Sequence, residues 1–181
     1  MTDDVEPTGN SADARPIGGV SAPDPTSWSD PLTGCDGPRL WDRLLASEVA
    51  RVRRYRRPAT VALIEIVGFD ELERVWGDEI AERTFVRLAR TLATEIRSSD
   101  HIARIERTRF GVLLTETEEI AAINFVERVR AAFEQHPAEV RVAIGWASPS
   151  TTFDLHDALA TAERRLVEDI ADGAPERASE G

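Results

Sequence analysis

Residues 102–114 set a polar apex, Glu106-Arg107-Thr108-Arg109, between Ile102 and Ile105 on one side and Phe110, Val112, Leu113 and Leu114 on the other. The apex groups are a carboxylate, two guanidiniums and a hydroxyl. Magnesium takes hard oxygen ligands, and phosphoryl chemistry relies on charge stabilisation around the phosphates. Thr108 and Arg109 offer a neutral hydroxyl and a cation instead, so no metal site is expected here. With Arg104 the apex is cationic, which suits an acidic ligand or partner or else a solvated turn. The flanking runs are β-branched and aromatic, the pattern of two antiparallel strands joined by a turn. A two-residue turn favours positive φ, which Glu106-Arg107 accept only with strain, so a wider or differently shaped turn is expected.

The elements that must position this apex are legible from periodicity. Leu40, Leu44, Leu45, Val49 and Val52 recur at helical spacing with arginines opposite, and Pro58 closes that helix. Thr60–Ile66 reads as a strand that carries Glu65 near its end. A short helical turn from Asp70 to Trp76 leads through Gly77 into a longer helix, with Ile80, Thr84, Leu88, Leu92 and Ile96 on one face. After the hairpin, Ile120, Ile123, Val129 and Phe133 mark a helix, Val140–Trp146 a strand, and Leu155, Leu159, Ala162, Leu166 and Ile170 a last helix. Alternating strands and helices imply an α/β layered domain. Residues 1–29 are polar, acidic and nearly free of large apolar groups, so a disordered arm is expected, with Trp28 packing at its end. The domain is read as 30–172 and the tail as 173–181.

Composition limits the function. A chain of 181 residues and 20.0 kDa is expected to hold one domain with a real core and to leave no room for a separate sensor domain. Net charge is -11, and every basic side chain is an arginine. That balance argues against nucleic acid and anionic membrane as partners, because both need positive surface. One cysteine, Cys35, rules out an internal disulfide and has no base partner, so it is read as inert. There is no signal pattern and no apolar run long enough to span a membrane, so a soluble cytoplasmic protein is expected. His101, His136 and His156 are scattered without ligand spacing. The Arg51–Arg57 run is read as a solvated helix face, and Trp41, Trp76 and Trp146 as packing residues.

Four segments in order resemble the GGDEF family of diguanylate cyclases, which make cyclic di-GMP from two GTP molecules. They are Asp30-Pro-Leu-Thr-Gly34 with Arg39–Arg43 opening a helix, Ile64-Glu-Ile-Val-Gly-Phe69, the 102–114 hairpin, and Val142–Ala147. The resemblance implies a nucleotide-cyclase-like fold with a central, mainly antiparallel sheet flanked by helices. It also aligns the apex with Gly-Gly-Asp/Glu-Glu-Phe, of which only Phe110 remains. Glu65 stands for the first metal-binding aspartate and Val67 for a second. Glu73 stands where an asparagine reads guanine, and a carboxylate cannot donate as an amide does. Glu82 is a tolerable match to another guanine-contacting aspartate, whereas Ile170 and Ala174 replace a phosphate-binding lysine and an arginine.

One family constellation is kept. Arg97-Ser-Ser-Asp100 lies five residues before the apex, where the family carries its product-binding Arg-X-X-Asp site. An arginine can stack on or bond to guanine while an aspartate accepts from its N–H edge. Arg39-Leu-Trp-Asp42 is a second copy of the string, and an exposed pair at a helix end is the plainer reading of either. The expectation is a catalytically degenerate GGDEF-like signalling domain with no catalytic or metal residues and no required cofactor. It would bind cyclic di-GMP through Arg97 and Asp100, or serve as an interaction module for a protein partner or a second copy. The alternatives are an active cyclase with an altered apex and a nucleotide-independent scaffold.

Overall fold

The computed structural model describes residues 19–135, 140–149 and 154–173. In chain order these form α1 (Pro38–Tyr55), β1 (Ala59–Val67), α2 (Phe69–Trp76), α3 (Asp78–Thr94), β2 (His101–Arg104), β3 (Arg109–Thr115), α4 (Glu119–Glu134), β4 (Arg141–Ala147) and α5 (Leu155–Asp172). The strands pair in the order β2-β3-β1-β4, every neighbour antiparallel. β1 is central and covered on both faces, which is why it reads as an almost unbroken apolar run. Its Ala62, Ile64 and Ile66 join Phe69, Phe85, Leu88, Phe110, Phe125 and Val129 in one core layer. Val61 and Leu63 face the other way, onto Trp41, Leu45 and Val49 of α1 and Leu155, Ala162 and Leu166 of α5.

The α5 layer lies unusually close to the sheet. A Cβ at Gly145 would sit 2.0 Å from the Ala162 carbonyl oxygen and 2.3 Å from the Leu166 nitrogen, so only glycine lets α5 rest on β4. α5 also covers the free edge of β4. Asp169 accepts from the Ile144 amide at 2.7 Å, and Arg165 donates to the Trp146 carbonyl at 2.7 Å. Two main-chain groups on the β4 edge are thereby occupied.

Several expectations need correction. The buried face of α3 is Ala81, Phe85, Leu88, Ala89 and Leu92, and Ile80 is exposed. On α4, Ile120 and Ile123 are exposed while Ala122, Phe125, Val126, Val129 and Phe133 are buried. In both helices an aromatic fixes the inward face, and the isoleucines lie a fraction of a turn off it. Trp76 is exposed, whereas Trp41 is core. Within the segment expected to be a disordered arm, Val20 and Trp28 contact the domain. Val20 is 3% exposed and belongs to the main core layer, and Trp28 lies under the guanidiniums of Arg39 and Arg43. A buried valine and main-chain bonds to Glu73, Arg107 and Arg104 anchor a segment whose composition is otherwise polar. Residues 1–18 and 174–181, with His136 and Ala174, lie outside the described residues.

Candidate functional site

The C-terminal end of β1, the turn between β2 and β3, and the start of α2 meet at one end of the sheet. There they enclose a cleft of about 310 Å³ lined by Glu65–Asp70, Thr108, Arg109 and Ile170. Strand register fixes its centre, since Glu65 of β1 is the direct partner of Arg109 in β3. The turn spans residues 105–108, with Ile105 donating to the Arg109 carbonyl at 3.0 Å. Arg56 and Glu116 are the only described non-glycine residues with positive φ, so the four-residue turn avoids the strain a tighter one would impose.

Every carboxylate around this cleft is claimed by the apex. Thr108 donates to one oxygen of Glu65, and Arg109 Nε donates to the other at 2.8 Å. Arg109 Nη1 donates to Glu106 at 2.7 Å. Arg107 swings the opposite way, over the ring of Phe69, and pairs with both Asp70 and Glu73 of α2. Its Nε donates to the Val20 carbonyl at 2.7 Å, and Glu73 accepts from the Val20 amide at 2.9 Å. Glu65 is thus a plausible ligand by position whose two oxygens already accept from neighbours. Among the described residues no cluster of three or more His, Cys, Asp or Glu side chains is arranged to hold a metal ion.

Behind the apex lies an ion pair removed from water. Arg104 is 1% exposed and Asp30 2%, with Arg104 Nη1 3.2 Å from Asp30 Oδ1. Burial pulls the Arg104 guanidinium below its ordinary pKa while Asp30 opposes the shift; an arginine remains charged regardless. Its other donors reach the carbonyls of Ser21 and Arg107, and its plane lies 4.7 Å from the centre of the Phe85 ring. Asp30 also accepts from the amide and hydroxyl of Thr33, which closes the Asp30–Gly34 turn. Arg104, counted by sequence among the solvent-facing cations, is instead the structural floor of the site. The roles of Val20, Ser21 and Asp70 carry no motif, and Asp30 stands in a recognisable segment that does not foretell its pairing with Arg104. The usable signals were an apolar residue, Val20, shortly before the domain and the Asp70–Glu73 spacing of about one helical turn.

Arg97 and Asp100 sit at the opposite end of β3, away from the apex. Asp100 is 9% exposed and holds its own turn together, accepting from the Arg97 amide at 3.0 Å and from the Thr115 amide at 3.1 Å. The Arg97 side chain is exposed beside Arg128, which is paired with Glu95. The Arg51–Arg57 run is partly neutralised: Arg51 pairs with Glu48 and Glu116, Arg53 with Asp154, and Arg57 with Glu116. Cys35 is buried, and burial pushes its thiol pKa up. No described helix is long and apolar enough to cross a membrane.

Comparison with known proteins agrees with this architecture. The probable diguanylate cyclase DgcC of Escherichia coli K12 is 33% identical over 103 residues, 57% of this chain and 28% of that protein. The chain covers about a quarter of the length of such curated relatives. Diguanylate cyclase SiaD of Pseudomonas aeruginosa, solved with its activator SiaC, superposes with TM-score 0.73 at 24% identity, over 82% of this chain and 60% of that one. The GGDEF domain of DgcB from Caulobacter crescentus, solved with c-di-GMP, gives TM-score 0.75 at 16% identity, over 81% and 91%. Residues 27–174 match the family described as "Diguanylate cyclase, GGDEF domain", and the chain belongs to that family.

Proposed function

We propose that this GGDEF domain no longer performs cyclase chemistry and works by binding. The observation that carries the reading is the internal pairing of the site: Thr108 and Arg109 occupy both oxygens of Glu65, and Arg107 fills the space beside α2. Two-metal phosphoryl transfer needs carboxylates free to take magnesium and open cationic groups for the phosphates. Here acids and cations neutralise one another, and Ile170 lines the cleft with hydrocarbon. This donor set does not fit magnesium.

The ligand proposed is cyclic di-GMP, taken through Arg97 and Asp100. Arg97 supports this because its exposed guanidinium has no ion pair among the described residues and can stack or donate. Asp100, whose two oxygens accept from the Arg97 and Thr115 amides, fixes the turn that presents Arg97. Purified protein given GTP and magnesium should yield no cyclic di-GMP above a no-enzyme control. Steady product formation that disappears in Glu65→Ala would establish the active-cyclase alternative. In calorimetric titration Arg97→Ala should weaken cyclic di-GMP binding by about 1.5–3 kcal/mol, roughly ten- to hundredfold. Arg39→Ala should have little effect. Absence of saturable binding by wild-type protein would leave the nucleotide-independent scaffold.

A further inference from the structure

The segment Gly19–Ser21 lies along the groove between the apex and α2, and its contacts there are those of a recognised peptide. The Val20 amide donates to Glu73 at 2.9 Å, the Val20 carbonyl accepts from Arg107 at 2.7 Å, and the Ser21 carbonyl accepts from Arg104. One acceptor and two donors, each on a different element, thus meet one amide and two successive carbonyls. The Val20 side chain enters the core layer that includes Phe69, Leu72 and Phe85. At the preceding position the main chain passes so close that a Cβ on Gly19 would lie 1.8 Å from a Glu73 oxygen. A side chain at position 19 would push the Glu73 carboxylate off the Val20 amide, and the groove otherwise takes a small apolar side chain and reads main-chain atoms.

From this we infer that the groove is a peptide-binding site for a Gly–β-branched segment, filled in the resting protein by the chain's own Gly19–Ser21. The inference rests on the reading that this end of the sheet no longer holds nucleotide. Three side-chain-to-main-chain bonds and one apolar pocket give modest affinity. The segment stays in place because its covalent connection keeps its effective concentration in the millimolar range. Releasing it bares Arg104, Arg107 and the Val20 pocket together, and a second segment of the same chemistry can then enter.

The test uses full-length protein and an acetylated, dye-labelled peptide with the sequence of Gly19–Pro25, followed by fluorescence anisotropy. Val20→Asp places a charge in the apolar pocket and should eject the resident segment, so this variant should bind the peptide at least tenfold more tightly than wild type. Adding Glu73→Ala should remove that gain. Gly19→Val, which pushes the Glu73 carboxylate off the Val20 amide and so loosens the resident segment while leaving Val20 intact, should reproduce the gain and decides the matter if Val20→Asp fails to fold. Equal peptide binding by wild type and both variants, or none by a folded variant up to about 1 mM, overturns the inference. So does retention of the gain in the Glu73→Ala background. Failure of the non-catalytic reading shows separately, as cyclic di-GMP formed from GTP.

Discussion

Asp30→Ala removes the counter-charge of Arg104 at a place where water cannot replace it. Both groups are within 2% of full burial, and the other acceptors of Arg104 are the neutral carbonyls of Ser21 and Arg107. Breaking such a pair by deleting one partner costs about 3–5 kcal/mol, because the survivor stays charged and dry. The Thr33 amide and hydroxyl lose their acceptor in the same step. For a domain of this size each kcal/mol lowers Tm by about 2–4 °C, so a fall of about 6–20 °C is expected in a thermal melt. Salt should not rescue it, since a buried pair is little screened even between roughly 0.1 and 1 M. The double variant Asp30→Ala/Arg104→Met should recover at least half of the loss, because no charge remains to be buried. A single variant that melts with wild type, or a double variant no better than the single, would refute the argument.

Removing residues 1–27 should lower Tm by about 3–12 °C, since Val20 alone buries a side chain worth about 1.5–3 kcal/mol; calorimetry on the truncated chain checks this. Gly145→Ala should cost more than an ordinary overpacking of about 1–3 kcal/mol, because the added methyl meets the α5 main chain, and denaturant unfolding or loss of soluble protein would report it. Asp154 caps α5 and pairs with Arg53, and that hydrogen bond, with those from Asp157 and His156, holds its carboxyl below the usual 3.8. Its contribution is therefore present above that value and lost as pH falls through the lowered one. Asp154→Ala should destabilise the protein near neutrality, and the difference from wild type in urea unfolding should shrink below pH 3.8.

The sheet and its order of elements were readable because β1 and β3 carry continuous apolar runs that a doubly covered sheet requires. Helix positions were readable too, but the inward faces of α3 and α4 were not. Ile80, Ile120 and Ile123 are as apolar as the residues that are buried, and only tertiary contact with Phe69 and Phe110 tells which stripe Phe85 selects. At the site, the loss of glycine and acid from the apex was plain in the sequence, as were the cations that replace them. Their partners were not. Arg104 and Asp30 are separated by 74 residues, and Arg107 and Val20 by 87, so their pairing is a property of the fold. The packing of residues 19–29 was hidden for the same reason, because a polar segment is held by groups that local composition does not show.

The cross-strand placement of Glu65 against Arg109 also governs which sequences are accessible from this one. Replacing Arg109 by an acid would set two carboxylates directly opposite each other, and like charges in that position destabilise a sheet. Replacing Arg107 by glycine would leave Asp70 and Glu73 facing each other without their shared cation. Both of these steps toward the acidic, glycine-rich apex of the family therefore lower stability unless a second charge changes with them. Substitution at Arg107 or Arg109 is therefore tolerated best when the facing carboxylate changes with it, so that whole charge pairs exchange together.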